Sequence, residues 1–185
     1  MAFKKAKQRE PVGEAGLFEY AVATLARGMR TERDLRRLMR NRAEPGEAGE
    51  AAMSAVVARL VELKYLSDTR FAADYTRLRK ENEKFGKRRV QQDLALKGIS
   101  KELVAETIAT AYEDVDEVEL ARAYCAKKRM KEPGGADAAV RKKETARVMN
   151  RLLRAGFSSN AIFKLLRSWK IEVEETEIDE ELPEF

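Results

Sequence analysis

One internal repeat constrains this chain more than any other feature. The stretch Leu94–Ser100 recurs as Leu152–Ser158, with Leu, Gly and Ser at matching places. Val104 and Ile108 return after 58 residues as Ile162 and Leu166. Upstream, Phe71, Ala72 and Tyr75 return as Leu120, Ala121 and Tyr124, but after 49 residues. The difference matches the nine residues of a loop-like insertion, Lys131–Ala139. One supersecondary unit is therefore copied with a lengthened loop. Repeats of this kind need a neighbour to finish burying each unit's apolar face.

The unit reads as helical. Apolar residues spaced by three and four begin with Leu17, Phe18, Ala21, Val22 and Leu25. They continue on Leu35, Leu38 and Met39, then on Met53, Val56, Val57, Leu60 and Leu63. Thr31, with Asp34 three residues on, is a capping-box-like start, and Ala43–Glu47 breaks the second helix. Further helices are expected near 69–83, 87–97 and 101–112, and near 116–130, 138–154 and 159–169. Gly98 and Gly156 stand where a helix C-terminus needs positive φ, and Ser100 and Ser158 where the next helix needs an N-cap. Ile99 and Phe157 between them are expected to pin consecutive helices together. The expected fold is all-α: three tandem three-helix repeats in an elongated, curved array with one basic side. The expected divisions are a disordered basic arm at 1–16, repeats at 17–66, 67–113 and 114–170, and an acidic tail at 171–185.

Charge sets the class of partner. Charged residues make up 37% of the chain and aromatic ones 7%, which suits thin helical modules with much surface. Eight acids, from Glu172 to Glu184, follow Lys170 with no base among them. Taking these from the 32 Asp and Glu leaves 24 against 37 Lys and Arg, so the rest of the chain carries about +13. Such a body attracts polyanions or acidic protein surfaces. From Arg77 to Lys101 there are nine bases and three acids, and from Arg122 to Arg154 eleven and three. Lys143, Arg147, Arg151 and Arg154 fall within about an 80° arc of one helix, with Val148, Met149 and Leu152 on its far side. A face of one sign lacks the interspersed Glu that solubility alone favours. Tyr112 and Trp169 end helices and are the candidate base-stacking platforms.

Other chemistry is excluded more directly. The chain has no histidine, the commonest general base and metal ligand. Its single cysteine, Cys125, cannot build a disulfide framework, fits a reducing compartment and sits at a helical core position beside Tyr124. Gly86, Lys87 and Arg88 resemble the end of a phosphate loop, but Glu81 occupies the place of its first glycine. Asp68 and Asp93 lie where capping or solvation accounts for them. The Gly-x-Ser turns resemble a helix-turn-helix. The helices after them begin Lys101, Glu102, Ala105, Glu106 and Ser159, Asn160, Ala161, which are poor in base-reading side chains. No catalytic site, metal or cofactor is expected. With no signal-peptide pattern and no run of about 20 apolar residues, the expected location is cytoplasmic.

The motifs resemble those of RecX, the bacterial regulator of the RecA recombinase. The resemblance covers residues 17–169. It rests on Leu60, Leu63, Tyr65, Leu66, Asp68, Arg70, Phe71, Ala72 and Tyr75; on Gly86, Arg89, Val90, Leu94, Lys97, Gly98 and Ile99; and on Leu152, Gly156, Phe157 and Ser158. Lys64 replaces a family Gly, Ser67 replaces Asp or Asn, and the acidic tail is atypical. The resemblance implies three tandem three-helix repeats without an enzymatic site, bound in the groove of the RecA–DNA filament. There the protein would block filament growth and dampen strand exchange, ATP hydrolysis and repressor autocleavage, moderating DNA repair and the SOS response. Arg70, Arg77, Arg79, Arg89 and Lys97 match basic places of the family motif. With Lys87, Arg88, Lys143, Arg147, Arg151 and Arg154 they form the expected surface for a filament or polyanion. A monomer is expected, with at most weak direct DNA contact. The competing reading is a stand-alone nucleic-acid-binding protein that contacts phosphates.

Overall fold

Helical periodicity is realised throughout the computed structural model, which describes residues 10–134 and 137–171. These residues form nine α-helices and no strand. They are α1 (Glu14–Leu25), α2 (Glu32–Arg40), α3 (Glu47–Glu62), α4 (Asp68–Glu81), α5 (Lys87–Leu96), α6 (Lys101–Tyr112), α7 (Glu117–Lys127), α8 (Ala138–Arg154) and α9 (Ser159–Ser168). α1 begins inside the stretch expected to be an arm. Gly13 takes its N-cap position, and the Val12 N–H donates to the Arg42 carbonyl at 2.8 Å, a tie that local sequence does not reveal. Residues 1–9 of that arm and 172–185 of the tail lie outside the described residues.

Short polar side chains cap five of the helices. Thr31 Oγ1 accepts from Asp34 N, Asp116 from Val118 N and Glu119 N, Asp137 from Ala139 N and Ser158 Oγ from Ala161 N. Such caps are worth about 1 kcal/mol each. Ser67 does the same for α4, its Oγ accepting from Arg70 N at 3.2 Å. Glu117 clamps the start of α9 by accepting from both Ser158 N and Ser158 Oγ at 2.7 Å.

A left-handed residue follows six of the helices. Gly98 and Gly156 follow α5 and α8 with φ of 80° and 90°. Lys64, Lys84, Arg129 and Lys170 follow α3, α4, α7 and α9 with φ of 59°, 58°, 51° and 60°. The next N–H then bonds back into the last turn: Tyr65 to Leu60 O at 2.9 Å, Met130 to Cys125 O at 2.9 Å, Phe157 to Leu152 O at 3.2 Å and Ile171 to Leu166 O at 3.1 Å. This is the Schellman arrangement. Ile99 and Phe157, next to the two glycines, are both buried.

The chain divides into two compact units that do not follow the repeat boundaries. Of the described residues, those from 10 to 72 and from 95 to 100 belong to unit one and those from 73 to 94 and from 101 to 171 to unit two, so α4 and α5 are each shared out. In unit one α1, α2 and α3 pack on one another over Leu17, Leu35, Met39, Met53, Val56, Leu60 and Leu66. In unit two α9 packs on α7 and α8 over Tyr124, Met149, Leu152, Phe157, Ile162, Leu165 and Leu166. The rings of Tyr124 and Phe157 meet edge-on at 5.7 Å. Burial of each large apolar side chain contributes about 1.5–3 kcal/mol. Cys125 belongs to this second core, and burial pushes its thiol up to about 11. It is a packing residue, not a reactive one.

The unit boundaries cut α4 and α5 because one joint is made twice, once in each unit. In unit one the start of α2 docks on the end of α5. Thr31 Oγ1 donates to Lys97 O at 2.9 Å, the Arg33 guanidinium donates to Leu96 O, and Glu32 N–H donates to Asp68 Oδ1 at 2.9 Å. In unit two the start of α5 docks on the end of α8, where Gly86 N–H donates to Ala155 O at 2.9 Å and Arg88 N–H to Gly156 O at 3.3 Å. Both joints give partners to carbonyls that a helix end leaves unsatisfied, and both set a positive helix pole against a negative one.

Candidate polyanion interface

The expected basic residues fall into both units. Arg70 and Lys97 belong to unit one, and the other nine belong to unit two. Arg70 lines a cleft of about 410 Å³ with Glu32, Val61, Lys64, Ser67 and Asp68. Burial is the main cause raising the Asp68 carboxyl above its ordinary value. Lys97 lies over the Phe71 ring at 5.7 Å.

Within unit two the bases differ in how far they are already spent. Arg77 is paired with Asp74 at 3.3 Å and Glu81 at 3.5 Å. Arg79 lies over the Tyr75 ring at 4.8 Å, and Tyr75 donates its hydroxyl to Asp93 at 3.1 Å. Arg89 pairs with the same Asp93 at 3.1 Å, so Asp93 is neither a cap nor merely solvated. Exposed ion pairs of this sort contribute about 0–1 kcal/mol, but they cancel charge locally. Lys87, Arg88, Lys143, Arg147, Arg151 and Arg154 are all exposed and make no ion pair among the described residues.

The second joint brings two of these groups to adjoining helix ends. Lys87, Arg88 and Arg89 open α5, whose first turn contains no acid. Arg151 and Arg154 end α8. A cation in a helix's first turn is disfavoured by roughly 0.3–1 kcal/mol, and the carbonyls of Ala155 and Gly156 facing this turn offset part of that. The expected face of α8 needs one correction. Met149 and Leu152 are buried as expected, but Val148 is only half-buried and lines a cleft with Arg147 and Arg151. It sits at the edge of the basic stripe, not opposite it.

The expected stacking platforms are occupied. Tyr112 is half-buried, donates its hydroxyl to Phe85 O at 2.9 Å and has Lys80 over its ring at 5.8 Å. Burial also raises its phenol well above the ordinary value. Trp169 packs against the core of unit two. No group of acids and cysteine suited to a metal ion occurs among the described residues, and no helix among them is long and apolar enough to cross a membrane.

Comparison with known proteins agrees with this architecture. Residues 67–108, which hold α4 to α6 apart from the last turn, match the family described as RecX, second three-helix domain. The chain is 24% identical over 139 residues to Regulatory protein RecX of Listeria welshimeri serovar 6b, over 75% of this chain and 48% of that protein. It therefore spans about half the length of that curated relative. The fold is shared with the crystal structure of RecX from Lactobacillus salivarius, at a TM-score of 0.63 and 18% identity over 85% of this chain and 96% of that one. A second crystal structure of regulatory protein RecX gives 0.66 and 21% over 84% and 71%. Sequence and fold support the RecX family. The two departures from the RecX motif are both absorbed locally. Lys64 adopts the left-handed conformation that glycine takes without cost, and Ser67 caps α4.

Proposed function

We propose that this chain is a non-enzymatic cytoplasmic regulator that binds the RecA–DNA filament as a monomer. Binding inhibits the filament's recombinase, ATPase and coprotease activities and so moderates DNA repair and the SOS response. The relatives' description as regulatory proteins supports this reading. The observation that carries it is the set of exposed bases, Lys87, Arg88, Lys143, Arg147, Arg151 and Arg154, that make no ion pair among the described residues. Their charge is available to an anionic lattice of phosphates or acidic side chains, and such contacts weaken steeply with salt.

The test is inhibition of RecA-catalysed ATP hydrolysis on single-stranded DNA by wild type and by Arg147→Glu/Arg151→Glu. The double variant should need on the order of tenfold more protein for half-inhibition, with unchanged helicity and melting, if each reversal removes about 0.5–1 kcal/mol of contact. Equal inhibition by both proteins would leave this face as solvated surface. Equal affinity for bare and RecA-coated DNA at physiological salt would instead favour a stand-alone DNA-binding protein.

A further inference from the structure

Two features of the chain stand outside its repeat: the insertion Lys131–Ala139 and the acidic segment after Lys170. The insertion builds something specific. Its Gly134 N–H donates to Glu144 Oε2 on α8 at 3.2 Å, holding the loop beside that helix. Between loop and helix lies a cleft of about 260 Å³. Met130, Pro133 and Val148 give it an apolar lining, and Lys131, Arg147 and Arg151 its cations. Glu132 and Glu144 also line it, the latter engaged by Gly134. Apolar surface bordered by cations fits a peptide in which isolated apolar side chains alternate with acids.

The chain contains one such peptide. From Glu172 to Phe185 the sequence carries eight acids interspersed with Val173, Ile178, Leu182 and Phe185, and no base. We propose that segment 172–185 is the ligand of this cleft in the same molecule, seating an apolar side chain beside Val148 and its carboxylates on Arg147 and Arg151. Distance allows it. Ile171 packs on the core of unit two, and α9 packs on α8. Fourteen residues reach up to about 45 Å when extended, whereas the 17 residues of α8 span only about 25 Å. Tethering gives the segment a millimolar-scale effective concentration, so individually weak contacts suffice. Occupancy covers two of the cations assigned above to an anionic partner. The segment therefore competes with that partner, and most strongly with weak non-specific polyanions. This competition rests on the proposed function; the contact itself does not.

The contact is tested on the full chain alone. Thr176→Cys takes a nitroxide label, because Cys125 is buried and its thiol inert. In 15N-labelled protein the amides of Met130, Lys131 and Val148 should broaden at low salt. The effect should fall about threefold or more at 0.5 M salt, where screening is nearly complete, and equally in Arg147→Glu/Arg151→Glu. Absence of broadening there, or broadening indifferent to salt and charge reversal, overturns the proposal. So does broadening that survives when label and 15N are on separate molecules, which assigns the contact to a second copy. The competition is read separately. Replacing the eight acids by Gln and Asn should tighten binding of a single-stranded oligonucleotide roughly three- to tenfold at low salt and leave it unchanged at 0.5 M. Equal affinity at low salt overturns the competition. Filament inhibition can fail with the contact intact, and the reverse, so the two readings stand or fall apart.

Discussion

Six helices are followed by a left-handed residue, yet glycine takes that place in only two of them. After α3, α4, α7 and α9 the position is Lys64, Lys84, Arg129 or Lys170. After α5 and α8 it is Gly98 or Gly156, the ends on which another helix docks. Positive φ alone is therefore tolerated by a long basic side chain, which also complements the negative pole of the helix. Docking is what demands glycine. The two joints differ in turn. A Cβ on Gly98 would meet the side chain of Arg33, whereas a Cβ on Gly156 would meet the backbone of Arg89. In the second joint Gly86 approaches from the other side, and a Cβ there would run into the carbonyl of Gly156. Unit one closes its joint with adjustable side chains, and unit two with backbone against backbone.

The comparison sets an order of mutational cost, read from urea midpoints at constant m-value. Gly86→Val should be the most damaging, on the order of 3 kcal/mol or more, since neither main chain can yield to a branched side chain. Gly156→Ala should cost about 2–3 kcal/mol, adding a backbone collision to the roughly 1–2 kcal/mol of a left-handed non-glycine residue. Gly98→Ala should cost less, about 1–2 kcal/mol, mostly the left-handed penalty, because the outer part of the Arg33 side chain can swing aside. The same change made on Arg33→Ala should cost measurably less, a coupling that a double-mutant cycle detects. If Gly98→Ala proves as costly as Gly156→Ala, the distinction between side-chain and backbone joints is wrong. Lys64→Gly sharpens the other half of the comparison, with an expected gain of a few tenths to about 1 kcal/mol from relief at φ 59°.

The helices were legible because amphipathic spacing is local, and the glycine–serine turns because they occur twice. What escaped was non-local. Val12 is tied to Arg42 and so brings α1 forward to Glu14, and nothing near Val12 announces it. Gly86 looked like the remnant of a phosphate loop, and its reason is a backbone approach from a turn 70 residues away. The division of α4 and α5 between two units follows from these same long-range hydrogen bonds. Part of the candidate site is also readable in local sequence. Asp74 and Glu81 flank Arg77 at helical spacings of three and four, and Asp93 follows Arg89 by four, so their pairing could have been anticipated. The loss of Tyr112 and Trp169 as stacking platforms could not, since it depends on which face the fold buries.

The joint between α5 and α8 also decides what kind of reader this surface can be. A free helix N-terminus offers a fan of aimed N–H groups that grips one phosphate in one orientation. At α5 the Gly86 and Arg88 N–H groups are already given to Ala155 and Gly156. Beside the Lys87 and Arg89 N–H groups, what remains for a ligand is charge on long, swinging side chains, which measure how much negative charge is near and hardly its pattern. If the proposed interface holds, discrimination among anionic partners would then come from spacing and shape and from whatever competes for the same cations.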